Sequence, residues 1–301
     1  MLTKSASDTK GAGFLLKGCL KISKRKKMSI TCDLCGGLGN QLFMIFTTIA
    51  TAMEQGRTFW FNNRDCYPSN TTRYPYWNSF FSRLQPYVKD QTYENNTVII
   101  KEEYFDQLLM ISQSHFHIML QGYYQRPRYF SKHFNDVCKL IGIDEMRKAL
   151  SEKIKFTYKN TASLHFRLGD YKKYVNVHPI QTIDYYRAAI TMLQSNRKIN
   201  TIFYVYEDED TDYVNQTIQT LQGEYKDIIF VSTKPFALSD WEEMLVMSLC
   251  DHHIIANSTF SWWGAFFNTK NDKMVVYPER WFGFQEDMRG RFPENWIKIN
   301  N

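Results

Sequence analysis

From residue 161 onward, hydrophobic and polar positions alternate in blocks that are typical of strands and helices in turn. The runs predicted as strands are short and rich in β-branched and aromatic residues: 161–167, 201–206, 228–231, 253–256 and 274–277. Those predicted as helices repeat apolar residues three and four positions apart: 180–194, 211–221, 240–250 and 261–268. Ser239 or Asp240 is available to cap the third of these helices. Strands separated by helices predict a parallel, Rossmann-like sheet.

The first half of the chain begins with the same pattern. A strand over 29–34 precedes a Gly-rich turn, an apolar helix over 38–53 and a strand over 58–61. Residues 66–87 lose this periodicity and are rich in aromatics and prolines, which indicates an irregular segment. A strand over 117–121 and a helix over 130–140 complete the half. The pattern predicts an α/β protein of two Rossmann-like halves that divide near residue 150, with a ligand cleft between them.

Composition indicates a globular chain whose excess charge lies at one end. The sequence has 301 residues, of which 44% are hydrophobic and 16% aromatic, and this excludes a disordered chain, collagen and a coiled coil. The formal net charge is +6, but residues 1–27 hold eight Lys or Arg and one Asp, which leaves 29 basic and 30 acidic residues elsewhere. Nucleic-acid binding would need positive charge on the folded part, so we do not expect it. We predict that residues 1–27 form a disordered basic extension.

Neither a membrane span nor a secretion signal is expected. The sequence contains no run of about 18 apolar residues, and the apolar patch at 14–16 is too short for a signal peptide. We therefore expect a cytoplasmic protein, with a membrane-surface role of the basic extension left open. The six cysteines include one close pair, Cys32 and Cys35, without the second pair that a structural zinc site needs. Buried, reduced thiols are the prediction.

The first motif with chemical potential is Gly-Gly-Leu-Gly-Asn-Gln-Leu-Phe at 36–43, between a predicted strand and helix. Its glycines let backbone amides approach an anion or a sugar at the helix N-terminus. The alternative is a tight turn without a ligand. The motif lacks both the GxGxxG spacing and an acidic residue at the end of the next strand, which disfavours a nicotinamide dehydrogenase.

The second motif is His-Phe-Arg-Leu-Gly-Asp-Tyr at 165–171, at the carboxyl end of a predicted strand. Strand alternation directs His165 and Arg167 to one face and Phe166 to the other. Such a pair suits a phosphate, because Arg binds it through two donors and His adds another. The alternative is a surface salt bridge between Arg167 and Asp170.

The third motif is Asn-Ser-Thr-Phe-Ser-Trp-Trp-Gly-Ala at 257–265, where three hydroxyl groups precede a predicted helix. One hydroxyl is enough to cap a helix, so the three of Ser258, Thr259 and Ser261 predict a second anion site. For Trp262 and Trp263, packing in the core is favoured over a surface on which a ligand stacks.

Together and in this order, the three motifs resemble those of the alpha-1,2-fucosyltransferases of glycosyltransferase family 11. Gly-Tyr-Tyr-Gln at 122–125 and Tyr-Glu-Asp at 206–208 are similar to lesser motifs of that family. The resemblance covers about 28–301 and implies a GT-B-type fold, with an acceptor-side domain over 28–150 and a GDP-sugar-binding domain over 151–301. It also implies inverting transfer of L-fucose from GDP-fucose to a sugar hydroxyl of a glycan acceptor, usually on galactose, with no metal or other cofactor.

The resemblance implies roles for particular residues. Arg167 binds the pyrophosphate with His165 beside it, and Asp208 contacts guanosine. The phosphate-side loop holds Ser258, Thr259 and Ser261, and the loop that faces the donor from the other half holds Gly37, Asn40 and Gln41. One departure is visible, because the family usually has a second arginine where this chain has Leu168. Its loss predicts a weaker donor contact or a different donor.

Several roles stay open at the level of the sequence. Asp170 is the candidate general base, or else it orients Arg167. The spelling Asp-Glu-Asp at 208–210 matches a metal-binding motif of other transferases, but a solvated turn before a helix is favoured, and with it independence of metal. Acceptor contacts are expected from 70–87 and 121–129, where aromatics either stack on sugars or pack: Tyr74, Tyr76, Trp77, Tyr123 and Tyr124. Two other functions remain, transfer of another nucleotide-activated deoxyhexose and non-catalytic binding of nucleotide sugars or glycans.

Overall fold

The computed structural model describes residues 28–66, 73–91, 96–109 and 117–300. The predicted basic extension, 1–27, lies outside the described residues. The strands are β1 (Ser29–Cys32), β2 (Thr58–Phe59), β3 (Phe61–Asn62), β4 (Val88–Lys89), β5 (Thr97–Lys101), β6 (His117–Gln121), β7 (Thr161–His165), β8 (Thr201–Val205), β9 (Ile229–Ser232), β10 (His252–Ile254), β11 (Val275–Pro278) and β12 (Ile297–Ile299). The α-helices are α1 (Leu38–Gln55), α2 (Phe134–Ile141), α3 (Ile143–Ile154), α4 (Ile183–Asn196), α5 (Thr211–Glu224), α6 (Asp240–Leu249) and α7 (Thr259–Phe266).

The second half is built on a parallel sheet with the strand order of a dinucleotide-binding fold. Six of the described strands form it in the order β12-β11-β10-β7-β8-β9, and every neighbouring pair is parallel. The order reverses between β7 and β10, which pair through Ser163 and His253. In open α/β sheets, ligands bind outside the carboxyl ends of the strands at such a reversal.

The first half holds a smaller parallel sheet in the order β2-β1-β6-β5 among the described residues. Helix α1 connects β1 to β2 and is buried along most of its length, because it packs both on its own sheet and on α7 of the second half. This explains its apolar sequence, which is buried from Leu38 to Ala52 except at Asn40. A separate parallel pair, β3-β4, lies outside this sheet.

A hydrophobic core joins the two halves. Trp263 of α7 lies 4.9 Å from Phe43 and 4.7 Å from Phe46 of α1, measured between ring centroids. Trp262 and Trp263 are 1% and 0% exposed, so the prediction that they pack in the core is confirmed. The expected division near residue 150 falls inside α3, which packs on α6 and donates from Arg147 to the carbonyl of Ser248.

Most predicted elements are present, with differences at their ends. The predicted strand over 58–61 is split at Trp60, and the helix predicted over 130–140 begins at Phe134 after two short 3-10 turns. Strands β4, β5 and β12 and helix α3 were not predicted. Helix α3 buries Ile143 and Leu150 and packs Met146 and Ile154 against the core, so the sequence does carry an apolar pattern at helical spacing for it.

The cysteine prediction is partly wrong. Cys32, Cys138 and Cys250 are buried free thiols, but Cys35 is half-buried and Cys66 is exposed. Burial raises the pKa of Cys32 to about 12, which keeps that thiol protonated. Cys19 lies outside the described residues. Among the helices that the structure describes, none combines the length and the apolar character needed to cross a bilayer.

Candidate active site

A cleft of about 1510 Å³ lies between the two halves. Its walls include the Gly-rich turn and start of α1 from the first half, and the segments that follow β7, β8 and β10 from the second. The cleft therefore lies at the point where the strand order of the second sheet reverses. Its volume is larger than that of a typical single-ligand pocket, which leaves space for two substrates.

Arg167 projects into this cleft just beyond the end of β7. Its side chain is 12% exposed and donates hydrogen bonds to the carboxylates of Asp170 and Glu207. The guanidinium carbon also lies 4.6 Å from the centroid of the Tyr171 ring. Burial lowers the pKa of Arg167, but the charge of Glu207 and the neighbouring groups outweighs it, so the pKa is raised and the guanidinium stays charged. Phe166 is fully buried in the core of the second half.

His165 lines the cleft beside Arg167 as a neutral ring. The residue is 5% exposed, and its Nδ1 atom has no hydrogen-bond partner among the described residues. Burial, helped by the positive charge of Arg167, lowers the pKa of His165 to about 3. The imidazole is therefore uncharged at neutral pH and offers one donor and one acceptor.

Asp170 is held by two arginines from opposite walls of the cleft. Its Oδ1 accepts from Nη2 of Arg167, and its Oδ2 accepts from Nη2 of Arg73 at 3.1 Å. The sequence analysis gave a surface salt bridge between Arg167 and Asp170 as the alternative to phosphate binding. That ion pair is present, but it lies within the cleft. Both carboxylate oxygens are engaged in charge-assisted hydrogen bonds.

The start of α7 brings two of the three predicted hydroxyl groups into the cleft. Ser258 caps the helix by accepting from the amide of Phe260 at 3.3 Å, and Thr259 donates to Oδ1 of Asn40 at 3.0 Å. Ser261 is fully buried and donates to the carbonyls of Ala256 and Ser258. It is not among the residues that line the cleft, because it lies on the core side of the first turn of α7.

The Gly-rich turn places Gly37 and Asn40 in the lining, but not Gln41. Asn40 also accepts from Nε2 of Gln125 at 2.9 Å. Gln41 is 1% exposed and donates to the carbonyls of Gly36 and Tyr74 at 3.0 and 3.2 Å. It therefore holds the loop in place and does not face the cleft.

Asp208 also lies outside the lining of the cleft. Its side chain is 89% exposed and pairs with Lys234 at 2.9 Å, as expected of a solvated turn. Asp210 contradicts that expectation, because it is buried and accepts from the amide of Gly169 and from Lys172. The two aspartates of the Asp-Glu-Asp motif, Asp208 and Asp210, thus have separate partners. The described part of the chain contains no group of three or more His, Cys, Asp or Glu placed to hold a metal.

The aromatics expected on the acceptor side divide into two groups. Tyr76 and Tyr123 line the cleft, and Tyr123 is 45% exposed. Trp77 and Tyr124 are buried in the core, while Tyr74 is exposed outside the lining. Of the five expected aromatics, two therefore remain in the cleft as rings on which a sugar could stack.

Four cleft residues have no individual role in the sequence-based prediction, although all but Glu243 lie in segments that it names: Arg73, Gln125, Glu207 and Glu243. Glu207 follows β8 as Arg167 follows β7, so the rule that strand ends carry ligand groups would have found it. Glu243 is 8% exposed, accepts from Thr233 at 2.9 Å and has its pKa raised by burial. Arg73 carries no local signal, because it lies in the segment without periodicity.

Two Rossmann-like sheets that face one cleft, with a buried cation and a helix N-terminus at the strand reversal, define the GT-B class of glycosyltransferase folds. The chain belongs to glycosyl transferase family 11, whose family model matches residues 11–300. That match begins earlier than residue 28, where the resemblance was expected to begin.

Named relatives agree with this family. An alpha-1,2-colitosyltransferase of Escherichia coli is 31% identical over 59% of this chain and 61% of its own length. The O-antigen biosynthesis glycosyltransferase WbnK of Escherichia coli is also 31% identical, over 60% of each chain. These matches span about three fifths of either relative. A galactoside 2-alpha-L-fucosyltransferase of Caenorhabditis elegans is 24% identical over 87% of this chain and 77% of its own.

Solved structures with a similar fold include POFUT1 in complex with GDP and a variant of Arabidopsis thaliana FUT1 in complex with GDP. The first has a TM-score of 0.49 and 11% identity, over 84% of this chain and 98% of the other. The second has a TM-score of 0.49 and 12% identity, over 85% of this chain and 71% of the other.

Proposed function

We propose that this protein transfers L-fucose from GDP-fucose to a sugar hydroxyl with inversion, forming an alpha-1,2 linkage to galactose. The observation that carries the proposal is Arg167 at the end of β7, directly across the strand reversal from the N-terminus of α7. The family match supports the reaction class, and the name of the Caenorhabditis elegans relative supports the sugar and the linkage.

The chemistry follows from the charge that such a transfer creates. As the bond from the sugar to the diphosphate breaks, negative charge grows on the leaving group. Arg167 and the amino end of α7 are preorganised to stabilise it, and in a dry site such electrostatics contribute several kcal/mol. The neutral ring of His165 adds a hydrogen-bond donor without a second buried charge.

For Asp170 we propose a positioning role, one of the two roles that the sequence left open. Each oxygen of Asp170 already accepts a charge-assisted hydrogen bond from a guanidinium group, and an acceptor hydroxyl would have to compete with these bonds to give its proton to Asp170. Asp170 instead fixes the direction of Arg167. The acceptor proton then passes to phosphate or water late in the reaction.

The reaction is proposed to need no metal. The charges of Arg167 and the α7 terminus take the part that a divalent cation plays in other transferases, and the two aspartates of the Asp-Glu-Asp motif are paired with lysines. Turnover is expected to be unchanged by a chelator such as EDTA. Restoration of lost turnover by added Mg²⁺ or Mn²⁺ would contradict this part of the proposal.

The test is nucleotide binding followed by turnover. GDP is expected to bind more tightly than UDP or dTDP, and GDP-fucose with a galactoside acceptor is expected to release GDP. Arg167→Met should weaken GDP binding by about ten- to a hundredfold, because a charge-assisted contact contributes roughly 1.5 to 3 kcal/mol. Arg187→Met is the matched control, since Arg187 pairs with Asp184 and Glu224 on the surface. Tighter binding of UDP, or an unchanged affinity in Arg167→Met, would refute the proposal.

A second candidate function uses the same site to transfer a different sugar. The colitosyltransferase of Escherichia coli favours it, as does Leu168, which is 3% exposed and offers no polar contact to a donor. In this case GDP binds, but another nucleotide-activated deoxyhexose such as colitose is transferred faster than L-fucose. Parallel turnover assays with the two sugars distinguish the candidates.

A further inference from the structure

We propose that Arg73, from the first half of the chain, is a second guanidinium that binds the diphosphate of the donor, opposite Arg167. The inference rests on the proposed function, because it requires a diphosphate in the cleft. Its starting point is the bridge across the cleft, in which Arg73 and Arg167 each donate to one oxygen of Asp170. Arg73 itself lines the cleft and is 34% exposed in its side chain.

The geometry of this bridge suits a phosphate group. Two guanidinium groups that reach the two oxygens of one carboxylate are also close enough to reach two oxygens of one phosphate, and planar guanidinium groups bind both anions. They approach from opposite walls, so a phosphate that binds beside Asp170 is contacted from two directions. Asp170 is at their meeting point and keeps both aimed at the same volume.

Backbone contacts fix the position of Arg73. The buried amide of Gln41 donates to the carbonyl of Tyr74 at 3.2 Å and to that of Gly36 at 3.0 Å. The residue after Arg73 is thereby tied to the Gly-rich turn at the start of α1. A little further along, the hydroxyl of Tyr76 donates to Asp240 across the cleft. The segment that follows Arg73 is therefore held to both walls of the cleft.

The distribution of charge favours Arg73 over the other arginines in the lining. Beside Arg167, the chain has the buried Leu168, so the end of β7 presents a single guanidinium. The other four arginines in the lining pair with carboxylates that Arg167 does not use: Arg126 with Glu102, Arg128 with Asp106, Arg289 with Asp287, and Arg291 with Glu286. Arg73 shares the carboxylate of Arg167, so it is the cation best placed to share its ligand.

The alternative is that Arg73 only holds the two halves together through Asp170. A double-mutant cycle separates the two roles, with binding of GDP and of guanosine measured by calorimetry for each variant. Arg73→Met, Asp170→Asn and their combination form the cycle, and Arg73→Lys keeps the charge without the planar fork. Arg83→Met is the matched control, because Arg83 pairs with Glu145 on the surface of the first half at 3.3 Å.

We expect Arg73→Met to weaken GDP binding by about ten- to a hundredfold and guanosine binding by less than about twofold. Arg73→Lys should lie between the parent and Arg73→Met. In the Asp170→Asn background, removal of Arg73 should still weaken GDP binding by at least about fivefold, because the contact is with the ligand itself. Arg83→Met should bind both ligands as the parent does.

Equal losses for GDP and guanosine would overturn the inference, since a contact to phosphate cannot affect a ligand without phosphate. A loss that vanishes in the Asp170→Asn background would also overturn it, because Arg73 would then act only through Asp170. If the parent itself does not prefer GDP to guanosine, the proposed function fails and this inference with it. If the parent prefers GDP and Arg73→Met binds it equally well, this inference alone fails.

Discussion

Among single residues, His165 makes the free energy of unfolding depend on pH, because its ring titrates at different pH values in the folded and unfolded chain. The folded protein keeps its ring neutral down to a pKa of about 3, whereas the unfolded chain has an ordinary histidine that is protonated below about 6.5. Below that pH the unfolded state binds a proton that the folded state does not. The contribution of His165 to the free energy of unfolding therefore falls as the pH drops from about 6.5 towards about 3.

His165→Asn should remove this contribution. The residue contributes a slope of up to about 1.4 kcal/mol per pH unit in that window, so the variant should lose stability less steeply between about pH 6 and pH 4. Urea denaturation at a series of pH values measures the slope. His253 is also buried with a lowered pKa, and its contribution to the pH dependence of stability is the same in the parent and the variant. Identical slopes for parent and variant would contradict a neutral His165.

Among the elements, α1 and α7 meet at Gly39. A Cβ atom there would lie 2.5 Å from the carbonyl carbon of Thr259 and 2.6 Å from the amide nitrogen of Phe260. Trp263 donates from its indole to the carbonyl of Gly39 at 3.0 Å, which fixes the contact from the other side. The atoms that an added Cβ would meet belong to the backbone of α7, which cannot move aside as the end of a flexible side chain can.

Gly39→Ala should therefore destabilise the protein by about 1 to 3 kcal/mol, the usual cost of overpacking a close contact. Gly223→Ala is the matched control, because Gly223 also lies in a helix but its added Cβ would meet nothing within 4 Å. The control should be neutral or slightly stabilising, since alanine favours helix. Chemical denaturation compares the two, and equal stabilities would show that the helices separate at no cost.

The same elements show what the sequence could predict. Periodicity predicted β6 with the observed bounds and α5 with its observed start at Thr211, because both have strong apolar patterns. It missed β12, a three-residue strand whose place depends on pairing with β11. The rule that ligand groups follow strand ends predicted Arg167 at the cleft, and the hydroxyl groups at the start of α7 predicted Ser258 there. Ser261, predicted from the same helix start, and Asp208, expected only from the family resemblance, lie outside the lining.

At the scale of the whole molecule, the two halves share one hydrophobic core. Residues of α1, α6 and α7 belong to the same buried cluster, and polar contacts such as Thr259 with Asn40 join the walls of the cleft. The position of Arg73 depends on the contact between the two halves, because its partner Asp170 is separated from it by 97 positions in the sequence. Such a residue cannot be found from local pattern, because its partner is defined by the folded halves together.

A shared core predicts that the halves unfold together. Scanning calorimetry should show a single transition, with the calorimetric enthalpy equal to the van't Hoff enthalpy. Two separate transitions, or a calorimetric enthalpy well above the van't Hoff value, would show that each half is stable by itself. The comparison should be made without nucleotide, because a ligand that contacts both walls would itself couple them.

The close approach of α1 and α7 has a further consequence. The amino ends of both helices point their positive dipole ends into the same volume, where they repel each other across a gap that only glycine at position 39 permits. An anion that enters this volume neutralises the repulsion as it binds. By linkage, the proposed nucleotide would strengthen the contact between the two halves by the same free energy with which that contact strengthens nucleotide binding, and this coupling can be measured from either side.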